Sequence, residues 1–99
     1  MRNLRASPKV QSDLESIWLC IARESGSAEA ATRVIDNITH RFVLLARYPY
    51  IGRQREDLRP GLRSFVAGDY VIIYRVEEPD TVLILHIFQG RHDIGGLLE

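Results

Sequence analysis

Between Pro8 and Glu24 apolar residues recur at Val10, Leu14, Ile17, Trp18 and Ile21, with Gln11, Ser12, Glu15 and Arg23 between them. At about 100° per residue this spacing gathers the apolar side chains on one face, as in an amphipathic helix. Ser7-Pro8 supplies the start: a hydroxyl cap, then a proline whose missing N–H is no loss at the first helical position. Gly26 marks the end. A second stripe, Ala31, Val34, Ile35, Ile38, Phe42 and Leu45, predicts a helix from a cap at Ser27 to about Tyr48, where Pro49 stops it. Two striped helices joined by a short turn form an antiparallel hairpin that buries both stripes against a common layer. Leu19 points away from the first stripe, and Val43 and Leu44 lie off the second. Single exposed leucines are ordinary, whereas a cluster of them marks a partner surface.

The rest of the chain changes period. Residues 2 to 6 form a short first strand in this reading, and further strands run over Arg63–Ala67, Tyr70–Val76 and residues 81 to 88. Gly68-Asp69 is a tight turn opened by glycine at positive φ, and Glu77 to Asp80, with Pro79, makes the next. The expected fold is therefore α+β in the order β-α-α-β-β-β, a small antiparallel sheet packed by an N-terminal helical hairpin, in one domain over residues 1–99. Strict alternation puts Tyr70, Ile72, Tyr74 and Val76 on one face and Val71, Ile73 and Arg75 on the other. In the last strand it sets Val82, Ile84, His86 and Phe88 against Thr81, Leu83, Leu85 and Ile87. Neither strand has a polar face. Two helices cover one side of a sheet, so the second apolar side calls for the long loop, the C-terminal tail or another chain. The loop is PYIGRQREDLRPGL, residues 49 to 62, long for so small a domain and placed to be functional or held down by neighbours. Tyr48 and Tyr50, flanking Pro49, are positioned to pin it to the sheet.

Composition narrows the class. Ninety-nine residues, 45% hydrophobic and 26% charged, suit one ordinary globular core. No apolar run approaches a transmembrane span, and the first residues, MRNLRASPKV, lack the apolar core of a signal peptide. With a single cysteine, Cys20, no internal disulfide is possible, and a reducing cytoplasm is the expected compartment. Net charge is zero but unevenly spread: six arginines lie from Arg41 to Arg63, against Glu56 and Asp57. Arginine suits carboxylate and phosphate contacts, while a GC-rich genome also favours its codons. No glycine-rich phosphate loop, metal-ligand spacing or cofactor motif is present, so no cofactor is expected.

Four passages, SPKVQSDLESIW, FVLLARYPYIGRQREDLRPGLRSF, GDYVIIYRV and ILHIFQGRHD, occur in an order that closely resembles the ParE branch of the RelE/ParE superfamily of toxins, over residues 4 to 94. The resemblance implies a small α/β toxin fold and a ParD-like antitoxin, with a ribbon-helix-helix N-terminus and a C-terminal segment wrapped around the toxin. For the ParE branch it implies DNA gyrase as target. The RelE branch instead cleaves messenger RNA on the ribosome. That reaction needs a proton acceptor, a proton donor and cations for the developing phosphate charge. Aligned on GDYVIIYRV, the strand position that ribonucleases fill with a basic residue is Val71, and the C-terminal tyrosine position falls near Leu98. Both departures remove chemistry, so a binding inhibitor without catalytic residues leads. The alternative is a ribosome-dependent endoribonuclease using Arg63, Arg91 and His92, and a further one is a family member that has kept its antitoxin and lost its toxicity.

The residues carried forward as antitoxin or target contacts are Leu19, Leu44, Arg59, Arg63, Phe65, Tyr74, Arg91 and His92. Phe65 and Tyr74, like Trp18, read equally as core aromatics. Arg53, Arg55 and Arg59 can bind phosphate or pair with Glu56 and Asp57, although direct nucleic-acid binding is not the expectation. His86, inside an apolar strand, reads as structural and His40 as solvated, while His92 beside Arg91 and Asp93 reads as a contact for an acidic partner. Cys20 has no histidine or acid suited to activate it as a nucleophile. A higher-order complex of toxin and antitoxin, with no membrane involvement, completes the expectation.

Overall fold

A computed structural model describes residues 2–90. Its elements are β1 (Asn3–Ala6), α1 (Pro8–Ser25), α2 (Ala28–Arg47), β2 (Arg53–Gln54), β3 (Leu62–Ala67), β4 (Tyr70–Glu77) and β5 (Thr81–Gln89). Both helices start where side chains can satisfy their first orphan N–H groups: Ser7 Oγ accepts from Val10 N at 3.2 Å and Ser27 Oγ from Ala30 N at 3.1 Å. Each such cap contributes about 1 kcal/mol. Gly26 closes α1 at φ 68°, a left-handed conformation that glycine adopts without a Cβ penalty. Gly68, at φ 62°, opens the β3–β4 turn in the way its sequence predicts.

The strands form one five-stranded sheet in the order β1-β5-β4-β3-β2. The α+β order holds, but the sheet is mixed rather than wholly antiparallel, because β1 pairs with β5 in parallel from Asn3↔Thr81 to Ala6↔Ile84. A strand separated from its partner by a helical hairpin and three strands is under no hairpin constraint, so either direction is open to it. The extra strand β2 lies inside the expected loop and pairs Arg53 with Ser64 and Gln54 with Arg63.

Both helices pack on one side of the sheet. Val10 of α1 and Ile38, Phe42 and Leu45 of α2 meet Tyr70, Ile72 and Tyr74 of β4 and Val82, Ile84 and Ile87 of β5. A smaller cluster on the other side joins Leu62, Val71 and Ile73, with Leu58, Leu85 and Phe88 against it. This second face is not an open apolar plane: Ile73 is 0% and Val71 only 4% exposed, and Leu58 of the long loop packs there. Val66, at its rim, is exposed.

Strict alternation along β5 fails. Ile73 pairs with His86 but Tyr74 pairs with Ile84, so Leu85 is an extra residue, a β-bulge. Beyond it the faces exchange. Ile87 joins the helix-side core, while Phe88, with His86 stacked on it at 5.5 Å, lies on the other face. The bulge coincides with the end of β1: Ser7 donates its N–H to Ile84 O at 3.0 Å and its hydroxyl to Leu85 O at 3.1 Å.

Candidate partner-binding site

The turn between α2 and β2, Tyr48-Pro49-Tyr50-Ile51-Gly52, is fixed from beneath by a tyrosine inside the core. Tyr74 is fully buried, yet its Oη donates to Pro49 O at 2.7 Å and accepts the Gly52 N–H at 2.9 Å. Burial raises the phenol's pKa above its usual range, so it stays neutral and can donate. Gly52 has no alternative residue at this approach, since a Cβ there would collide with the Tyr74 hydroxyl and ring. From β3, Arg63 Nη1 donates to Gly52 O at 2.8 Å and to Tyr50 O at 3.3 Å. Its guanidinium lies 5.0 Å from the centroid of the Tyr50 ring.

Tyr50 is held from other directions as well. Arg2 Nη2 donates to its hydroxyl at 3.3 Å, and that hydroxyl donates to Glu78 Oε1 at 3.2 Å. Arg2 also meets Glu78 directly at 3.5 Å. The turn thus joins the residue before β1, the β4–β5 connection and β3. The sequence places Tyr48 and Tyr50 to pin the loop; Tyr50 does so, through Arg2, Glu78 and Arg63, and the turn's backbone is held in addition by Tyr74 reaching out from the sheet. The result is a fixed turn with outward side chains: Tyr48, Tyr50 and Ile51 are 53%, 55% and 47% exposed. Arg47 and Arg53, at its two ends, are exposed as well.

Six of the eight residues expected to meet a partner are among the described residues, and they are spread over α1, α2, the loop, β3 and β4. Arg63 and Tyr74 are cross-strand neighbours, and both hold the turn. Phe65 packs against the helix-side core, partly buried. Leu19 stands exposed on α1, Leu44 is partly buried on α2, and Arg59 is exposed in the loop. Arg91 and His92 lie outside the described residues. The exposed turn itself is absent from that set. Its sequence signal is Gly52 among bulky residues, since a glycine in RYPYIGR marks close backbone approach.

Arg55 of the loop is drawn into local order. Arg55 forms a two-pronged contact with Asp57, at 3.1 Å from Nε and 2.9 Å from Nη2. That pairing lowers the Asp57 pKa and raises that of Arg55. Glu56 accepts the Gly61 N–H at 3.1 Å, and Arg55 N donates to Leu62 O at 2.8 Å. Cys20 is exposed and its thiol pKa is raised by a hydrogen bond to Glu24, the opposite of nucleophile activation. Burial, with Lys9 nearby, lowers the His86 pKa and favours the neutral ring. Among the described residues no group of three or more His, Cys, Asp or Glu side chains is placed to hold a metal ion, and no helix is long and apolar enough to cross a membrane.

Comparison with known proteins agrees with this fold. Residues 4–94 match the model of the family described as ParE toxin of type II toxin-antitoxin system, parDE. Toxin ParE3 of Caulobacter vibrioides is 34% identical over 98% of this chain and 94% of its own length. Toxin ParE1 of Mycobacterium tuberculosis is 32% identical over 89% of each. A solved chain described as the chromosomal ParDE TA system from P. aeruginosa superposes with a TM-score of 0.79 at 22% identity, covering 92% of this chain and 98% of that one.

Proposed function

The chain belongs to the ParE toxins of type II toxin-antitoxin systems, and from that premise we propose that it arrests growth by binding DNA gyrase, with no catalytic residues of its own. The family match over residues 4–94 carries this reading. Two details support binding over chemistry. Val71, at the strand position that a RelE-type ribonuclease fills with a cation, is buried against Leu62 and Ile73. Arg63, the one described member of the alternative ribonuclease set, is engaged by two backbone carbonyls. A phosphate would have to compete with the fold for it.

The partner in this reading is a ParD-like ribbon-helix-helix antitoxin that neutralises the toxin in the cytoplasm, in a higher-order complex. Apolar contact supplies most of the affinity of such a complex, while arginines set orientation and association rate. The test is a supercoiling and DNA-cleavage assay with purified gyrase and increasing toxin. Inhibition that the antitoxin reverses is expected; no inhibition at stoichiometric excess overturns the gyrase reading. Ribosome-dependent cleavage of messages, lost on replacing Arg63, Arg91 and His92 by alanine, would establish the ribonuclease alternative.

A further inference from the structure

We propose that the Tyr48–Ile51 turn is the part of the toxin that enters its target: a preformed knob seated in an acid-rimmed concave pocket of a folded protein. The inference rests on the toxin reading above and adds the place of contact. Three observations carry it. First, the turn exposes Tyr48, Tyr50 and Ile51 together, whereas the other exposed large hydrophobic residues among those described, such as Leu19 and Val66, stand singly on separate elements. Aromatic and aliphatic side chains at the centre of an interface are where binding energy concentrates. Second, the turn is already rigid: Tyr74, Arg63 and Arg2 hold its backbone and the Tyr50 hydroxyl. Little conformational entropy is left to lose on binding. Third, its flanks are cationic. Residues 47 to 53, RYPYIGR, carry Arg47 and Arg53 and no acid. Glu78, the acid at the rim, is matched by Arg2.

Shape and ring occupancy select the partner. A turn with outward side chains is convex and requires a concavity, which a folded protein provides and an extended antitoxin segment does not. A nucleic acid would seek the Tyr50 ring as a stacking platform, but the guanidiniums of Arg63 and Arg2 already lie 5.0 and 5.7 Å from its centroid. What remains free is the half-exposed surface of Tyr48 and Ile51 between two arginines, which fits an apolar pocket with carboxylates at its edge.

The test uses the full chain carrying Tyr48→Ser and Ile51→Ser together, with Arg53→Glu as a second variant. Tyr48 and Ile51 lie outside both core clusters, so the thermal midpoint is expected to stay within a few degrees of wild type. Growth arrest on induction is scored beside antitoxin affinity measured by titration. The double variant is expected to require about tenfold more toxin for the same arrest, with antitoxin affinity changed less than about threefold. Arg53→Glu is expected to weaken arrest and to reduce its sensitivity to salt in a purified-target assay. Undiminished arrest in the double variant overturns the proposal, as does a parallel loss of antitoxin affinity, which would make the antitoxin the occupant. Growth arrest reports the knob whatever the target is, and the supercoiling assay reports gyrase, so the two readings fail separately.

Discussion

The backbone N–H of Gly52 points at Tyr74 Oη from 2.9 Å, and the same hydroxyl leaves no room for a side chain at position 52. A glycine on the surface turn and a phenol in the core therefore specify one another. Tyr74→Phe removes the donor to Pro49 and the acceptor for Gly52 together, leaving the buried Gly52 N–H and the partly buried Pro49 carbonyl without these partners. A loss of about 1 to 3 kcal/mol is expected in urea unfolding. Gly52→Ala should cost a similar amount by overpacking. Combining the two substitutions should give a non-additive cycle, because they share one contact.

Arg63 separates a fold role from a contact role. If its guanidinium acts through the turn it holds, Arg63→Ala lowers unfolding stability by about 1 to 2 kcal/mol, since two charge-assisted hydrogen bonds are lost. Arg63→Lys should rescue only part of this, because an ammonium cannot reproduce the planar contact with Tyr50. Chemical denaturation of the three proteins checks the order wild type, lysine, alanine.

His86 predicts a pH dependence. Its folded-state pKa lies below the ordinary value of 6.5, chiefly through burial, with Lys9 and Arg59 adding to the shift and Asp13 opposing it. Below about pH 6.5 the unfolded chain binds the proton more readily, so stability is fully present above that pH and falls as the pH drops toward the folded-state value. Thermal midpoints between pH 7.5 and 5.5 should show the fall, and His86→Gln should flatten it.

Val71→Lys tests whether a ribonuclease-like cation can be placed on this sheet. The position is buried in an apolar cluster, so an uncompensated ammonium there should cost about 3 kcal/mol or more. The expected outcome is a lowered thermal midpoint without gain of message cleavage.

The helices were legible in the sequence because their signals are local: an apolar stripe, a serine cap, a proline and a glycine lie within a few residues of each end. The β3–β4 hairpin was legible for the same reason, through Gly68. What escaped depends on distant partners. Nothing within Asn3–Ala6 states which way it runs against a strand that begins at Thr81. Arg53-Gln54 is too short and too polar to show alternation. The bulge at Leu85 is unmarked by glycine or proline, so Leu85-His86-Ile87-Phe88 reads as regular strand. In the candidate site, Arg63 stands out by its place at a strand start, but the carbonyls that hold it come from residues 50 and 52. Tyr74 looks like any core aromatic because periodicity records the ring's side of the sheet and not the reach of its hydroxyl.

The extra residue in β5 works as a frame change in a two-channel strand. Before Leu85 the even-numbered positions Val82 and Ile84 feed the helix-side core; after it the odd-numbered Ile87 does, and Phe88 is released to the opposite layer. One apolar run, TVLILHIF, can thus furnish both layers with large side chains without a polar face ever being written into it. Straightening the bulge with Leu85 kept in the ladder would restore textual regularity and exchange the layers, sending His86 and Phe88 under the helices and Ile87 to the other side, whereas deleting Leu85 would leave each of them on its present side.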